Sequence, residues 1–201
     1  VLAVFIKIII LIFILTAVLL LIFFSIAGIV AHKNPLTLLK RMMPAYITAL
    51  GTSSSAATIP VTLESTLSNG VRNSIASFAV PLCATINLSG SMLKIVACSL
   101  AVIYTTGMDI SFSQYSAFIF TLAVAMVAAP GVPGGAIMTA LAPLSAVLGF
   151  SQETNALMIA LYIVMDSFGT ATNVTGDGAI AVILDKIYKN DHNLTEDETE
   201  S

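Results

Sequence analysis

The chain has 201 residues, of which 57% are hydrophobic and only 9% charged. A water-soluble domain cannot hide that much apolar surface, and the apolar residues come in runs of membrane-crossing length, so the composition defines a polytopic membrane protein in a lipid bilayer. The formal charge of −3 comes largely from residues 191–200, and the lack of a basic patch excludes nucleic acid as a partner.

Residues 1–31 form one apolar run broken only by Lys7, long enough to span with some tilt. The run begins at Val1 and lacks the form of a signal peptide, so a fragment without its earlier helices is expected. His32-Lys33-Asn34-Pro35 ends it. Residues 36–69 contain two short helical pieces around the serine-rich tip Gly51-Thr-Ser-Ser-Ser-Ala-Ala-Thr-Ile-Pro60. Pieces too short to cross, meeting at a polar turn, describe a re-entrant hairpin; an ordinary surface loop is the alternative.

Residues 74–106 form a second crossing, interrupted at Thr85-Ile-Asn-Leu-Ser-Gly-Ser91. That interruption predicts a broken helix whose freed carbonyls could ligate an ion. Lys94 follows at membrane depth, as a snorkelling or paired lysine or as a built-in cation. Cys83 and Cys98 share this segment without metal-ligand spacing and read as small packing residues. Residues 114–148 repeat the hairpin pattern, with two half-length apolar pieces meeting at Pro130-Gly-Val-Pro-Gly-Gly135. The fold class expected is therefore an all-α membrane protein: transmembrane helices with two re-entrant hairpins and two broken helices.

Residues 154–189 hold the second broken helix and the polar stretch Asp166-Ser-Phe-Gly-Thr-Ala-Thr-Asn-Val-Thr-Gly-Asp177. Asp166, Thr170, Asn173 and Asp177 recur at spacings of four, three and four, which places them on one helix face. Carboxylate, hydroxyl, amide and carboxylate offer oxygens to a cation or an ammonium group. A satisfied interhelical hydrogen-bond seam is the alternative, although two carboxylates at membrane depth exceed what a seam requires. Gly169 and Gly176 would let this helix open or another backbone come close. Residues 190–201 form an acidic tail.

Four stretches together carry a family resemblance: residues 51–60, Pro81-Leu-Cys-Ala-Thr-Ile-Asn-Leu-Ser-Gly90, Ala129-Pro-Gly-Val-Pro-Gly134 and Asn173-Val-Thr-Gly-Asp177. In their order and spacing the chain resembles the transport-domain half of the dicarboxylate/amino acid:cation symporters. The resemblance implies a membrane transport domain over residues 1–189 that carries a small amino acid by an elevator-like motion. It implies that Ser54, Ser55, Ser91, Val132, Gly134, Asp166, Gly169, Thr170 and Asn173 contact substrate. Ser54 and Ser55 would take its α-carboxylate, Asp166 its ammonium, and residues 131–134 would gate it. Sodium would sit among Cys83, Thr85, Asn87, Ser89, Asn173 and Asp177, some through backbone carbonyls. A homotrimer, built on scaffold helices outside this chain, is implied as well.

Two departures stand out against that pattern. The family's Asn-Met-Asp-Gly motif reads Asn87-Leu88-Ser89-Gly90 here, which weakens the expected sodium sites and suggests fewer coupled sodium ions, with a proton in place of one. Acidic-substrate members carry arginine where this chain has Gly169, so a neutral amino acid is the expected substrate unless Lys94 reaches the site. An acidic amino acid or dicarboxylate is the alternative. Ser89 and Lys94, five residues apart, are badly placed for a serine–lysine hydrolase, so no enzyme activity is expected; paired gating tips argue against a channel, and a truncated, non-transporting membrane fragment is the remaining alternative. Lys33, Lys40, Arg41, Arg72, Lys186 and Lys189 fall on one predicted side. This puts the tail in the cytoplasm of a cell-membrane protein.

Overall fold

The computed structural model describes the backbone of residues 2–199 and the side chains of residues 6–189. The side chains of the acidic tail, residues 190–201, lie outside the described residues. Helix α1 (Leu2–Ala31) leaves Ile10, Ile14, Leu21 and Ile22 exposed along its length. A contiguous apolar face of this kind fits lipid, not water. Ile6–Ala31 and Asn73–Thr106 are each long and apolar enough to cross a membrane, and a third, bent pair of helices adds one more if it is counted as a single span.

The first hairpin follows. Helix α2 (Pro35–Arg41) is capped by the side chain of Asn34, which accepts from the amides of Leu36 and Thr37. Helix α3 (Met43–Thr52) stops where Ser53 adopts a left-handed φ of 49°. Helix α4 (Ser55–Ser68) starts at once, N-capped by the Ser54 hydroxyl. The buried face of α4 is polar but self-satisfied. Thr58, Thr62 and Thr66 each donate to the carbonyl four residues back, so they pack inside without stranded hydroxyls.

Helices α5 (Asn73–Ile86) and α6 (Ser89–Thr106) are the broken pair the sequence indicates, interrupted at Asn87 and Leu88. The second hairpin pairs α7 (Phe112–Met126) with α8 (Gly135–Leu148) across a turn that holds Gly134 at φ 74°. That left-handed backbone suits glycine and few other residues. Helices α9 (Gln152–Val164) and α10 (Asp166–Thr199) meet at a 61° bend. The break falls at Met165. Helix α10 stays wound through Gly169 and Gly176, so of the two expectations for these glycines, an opened helix or a close approach, the helix does not open, and neighbouring atoms crowd both positions.

Two apolar cores hold the elements. One gathers α6, the second hairpin and α9 around Phe118, Ile137, Leu144 and Tyr162. The other gathers the first hairpin, the end of α1 and α10 around Phe24, Leu38, Met42 and Val174. Helix α10 packs against α1, α3, α4, α5 and α6, and the second hairpin reaches its start through the Gly134 amide at Asp166, so its polar face lies where both hairpins and both breaks converge.

Candidate functional site

The one-face spacing of Asp166, Thr170, Asn173 and Asp177 survives, and all four are buried. At the bend, Asp166 works with both oxygens. Its Oδ2 accepts from the backbone N–H of Gly134 at 2.8 Å, and its Oδ1 lies 3.5 Å from Lys94 Nζ. Four residues on, the Thr170 hydroxyl donates back to the Asp166 carbonyl.

The hairpin tips meet beside this carboxylate. The Ser54 hydroxyl donates to the Gly131 carbonyl at 2.9 Å, and the Ala56 amide donates to the same oxygen at 3.1 Å. Gly131 also presses against α5, where a Cβ would run into the Ala84 carbonyl oxygen, so no larger residue fits this approach. Between tips and helices lies a cavity of about 10 Å³, room for roughly one water molecule. Ser55, Ser91, Val132, Tyr162, Asp166, Thr170 and Asn173 line it. Thus six of the nine predicted substrate contacts line the cavity, and a seventh, Ser54, latches the two tips together. The backbone of Gly134 closes it through Asp166, and Gly169 stands behind it against Lys94.

Asn173 does something the sequence left unstated. Its Oδ1 accepts from the amides of Gly90 and Ser91, and its Nδ2 donates to the Ser91 hydroxyl at 2.9 Å. Helix α6 has no side-chain cap of its own, because its N-cap position is Leu88. Asn173 supplies that cap from α10 and ties the two breaks together. Its side chain is therefore committed to protein, and only its backbone carbonyl turns to the predicted cation site.

At that site Asp177 is fully enclosed. Its Oδ1 accepts from Asn87 Nδ2 at 2.8 Å, while its Oδ2 has no hydrogen-bond partner. Asn87 Nδ2 also donates to the Asn173 carbonyl, and Asn87 Oδ1 accepts from the Ser89 hydroxyl. Asn87 thus meets the carboxylate as a donor, and it must rotate its amide before its oxygen can face a cation. The Cys83 carbonyl accepts from the Asn87 amide at the end of α5. Thr85 is the exception among the predicted ligands. It is exposed, and its hydroxyl donates back to the Leu82 carbonyl. The break at Asn87 and Leu88 lies inside the predicted interruption, so Thr85 is still wound into the end of α5 and turns outward.

Sodium fits the remaining group. A buried carboxylate with an orphan oxygen is costly unless a cation or a proton meets it. The oxygens beside it belong to amides, carbonyls and hydroxyls, donors suited to a hard cation at a broken helix.

Two residues were missed or underrated. Tyr162 lines the cavity with a buried hydroxyl that has no hydrogen-bond partner. Its only sequence signal was its place one helical turn before Asp166. Lys94, read as either structural or a built-in cation, lies at the site itself. The Ser89 hydroxyl donates to Asn87 Oδ1, and the Lys94 ammonium to the Met165 carbonyl.

Fold and site together define an all-α membrane protein in which helix breaks and hairpin tips build an enclosed polar pocket. The chain belongs to the sodium:dicarboxylate symporter family, whose sequence model matches residues 1–187. It is 33% identical to excitatory amino acid transporter 4 of Mus musculus over 173 residues, which is 85% of this chain and 30% of that protein. It is 36% identical to excitatory amino acid transporter 3 of Mus musculus over 162 residues, covering 80% of this chain and 31% of the relative. An excitatory amino acid transporter of Caenorhabditis elegans is 34% identical over 157 residues, with 78% and 31% covered. The chain spans about a third of the length of these relatives.

Proposed function

We propose that this chain is the substrate-binding part of a sodium-coupled symporter for an acidic amino acid or dicarboxylate. The observation that carries the reading is the convergence of both hairpin tips on Asp166, one helical face from the cation-ready Asp177. The family name specifies sodium and dicarboxylate, and the relatives are named for excitatory amino acids. The neutral amino acid expected from Gly169 gives way to the acidic alternative, which the family and the relatives' names support and for which Lys94, its ammonium 3.5 Å from Asp166, offers a nearby cation.

The geometry suggests how the tips and substrate exchange. The Gly134 N–H holds Asp166 Oδ2, the oxygen an incoming ammonium would need. Substrate therefore competes with the second tip for one carboxylate oxygen, and the tip must lift before the ammonium can bind. A hydrogen bond to a charged group is worth roughly 1.5–3 kcal/mol, and the neutral bonds to the Gly131 carbonyl about 1 kcal/mol each. These are losses that substrate contacts can offset. Ser54, Ser55 and the start of α4 then present hydroxyls and amides to a carboxylate. Thr170 and Asn173 would hold the helix face in register. Val132 and Gly134 would close again over the occupant.

Asp177, Asn87 and the carbonyls of Cys83 and Asn173 would hold sodium, with Ser89 orienting the Asn87 amide. Sodium bound there would supply the charge that Asp177 lacks in its enclosed position. Replacement of one sodium by a proton, elevator motion of the domain, trimeric assembly and a cytoplasmic tail in the cell membrane belong to the same proposal. The positive side holding Arg72, Lys186 and Lys189 supports the tail orientation.

A thermal-shift screen of the purified protein against amino acids and dicarboxylates in sodium and choline salts tests the reading. Aspartate or a dicarboxylate is expected to stabilise it in sodium only. Stabilisation by alanine, serine or threonine without any by an acidic compound would overturn the substrate assignment.

A further inference from the structure

Lys94 is a fully buried lysine whose charge is only partly met. An ammonium carries three N–H donors. Here one hydrogen bond goes to the Met165 carbonyl at the helix bend, 2.9 Å away. Asp166 Oδ1 lies at 3.5 Å, beyond good hydrogen-bond length, and the third neighbour is the face of the Tyr162 ring, 3.7 Å from its centroid. Asp166 and Tyr162 both line the cavity between the tips. The ammonium therefore lies immediately behind the cavity wall, on a flexible four-carbon stem.

Gly169 is what admits it. A Cβ at Gly169 would lie 2.9 Å from Lys94 Nζ, 3.2 Å from its Cε and 3.3 Å from the Ser91 hydroxyl. Any side chain on that turn of α10 would have to displace the lysine head. The residues are thus mutually dependent: a cation is delivered from α6 into space that α10 leaves empty.

We propose that Lys94 is the specificity-determining cation of the substrate site, taking the second carboxylate of an acidic substrate, and that Gly169 is the opening that lets it do so. This rests on the symporter reading and adds the residue that selects the substrate class. The site's charges match such a ligand. Asp166 Oδ2 receives the ammonium once Gly134 lifts, the first tip's hydroxyls and amides receive one carboxylate, and Lys94 receives the other. A neutral amino acid would leave Lys94 with the same incomplete partners it has with the tips closed.

The test is equilibrium binding of aspartate and serine in sodium to three purified proteins: wild type, Lys94→Met and the double variant Lys94→Met/Gly169→Arg. Lys94→Met is expected to weaken aspartate about 100-fold, the usual scale for removing one partner of a buried charge pair, while serine changes far less. The double variant moves the cation from α6 to α10 and is expected to recover aspartate binding to within about tenfold of wild type. If Lys94→Met does not purify folded, the double variant decides alone, since losing aspartate while binding serine would overturn the proposal. Equal weakening of both ligands in Lys94→Met would mean that Lys94 only braces the Met165 carbonyl, and would also overturn it. Unchanged aspartate binding in Lys94→Met removes this inference and leaves the symporter reading standing. A wild type that binds neither ligand removes both.

Discussion

Replacing Asp177 with asparagine isolates the charge at the cation site while keeping its shape. Asp177 is 1% exposed, and one of its oxygens has no partner. Asp166, the other carboxylate on this helix face, stands too far along it to compensate. Asp166 is 11 positions away on the same helix, roughly 16 Å at about 1.5 Å per residue. At an effective dielectric of about 20, two unit charges 4 Å apart attract by roughly 4 kcal/mol, and a direct contact is closer than that. Allowing for desolvation, a loss of about 3–4 kcal/mol is expected, or on the order of 100- to 1000-fold in sodium affinity. The fold itself should tolerate the change, because Asn87 can rotate its amide to meet the new side chain. The assay is thermal stability titrated with sodium chloride against choline chloride, with gel filtration to confirm folding. Wild type should gain stability saturably with sodium, and Asp177→Asn should show no gain across the same range. A sodium midpoint within threefold of wild type in folded Asp177→Asn would refute the reasoning.

Three further outcomes follow from particular bonds. Thr85→Ala should leave the sodium midpoint unchanged within about twofold, because the hydroxyl is exposed and spent on the Leu82 carbonyl; a large shift in the titration would put Thr85 back among the ligands. Asn173→Ala should cost on the order of 3 kcal/mol in stability by stranding the first amides of α6, read as a lowered melting temperature in sodium-free buffer. Ser54→Ala removes both the cap of α4 and the bond to Gly131, so it should cost about 1–2 kcal/mol and make the tips easier to separate. Faster modification of a cysteine introduced at Val132 would register that separation, and unchanged labelling would count against the latch.

The polar face of α10 was legible because helical periodicity is a local property: spacings of four, three and four must align whatever surrounds them. The hairpins were legible for a similar reason, since Pro130 to Gly135 and the serine tip cannot continue a helix at membrane depth. What stayed hidden was tertiary. The bend falls at Met165, beside Asp166, and not at the glycines, because Gly169 serves a close approach by Lys94 from another helix. The capping of α6 by Asn173 depends on a partner 82 to 83 residues away, and no window along the chain contains both. Thr85 carried the right chemistry in the right stretch, but its place on the last turn of α5 turns its hydroxyl outward and onto the Leu82 carbonyl. The substrate class turned on the same kind of question. Gly169 alone pointed to a neutral ligand, whereas the acidic substrate proposed above draws on the family and on a lysine head that only the fold brings beside Asp166.

Uptake of labelled aspartate into proteoliposomes under an imposed sodium gradient tests the central claim most directly. Concentrative, saturable uptake that requires inward-directed sodium and disappears in Asp177→Asn is the expected result. Uptake that proceeds equally in choline, or that never exceeds equilibration across the membrane, would contradict sodium-coupled symport through this site.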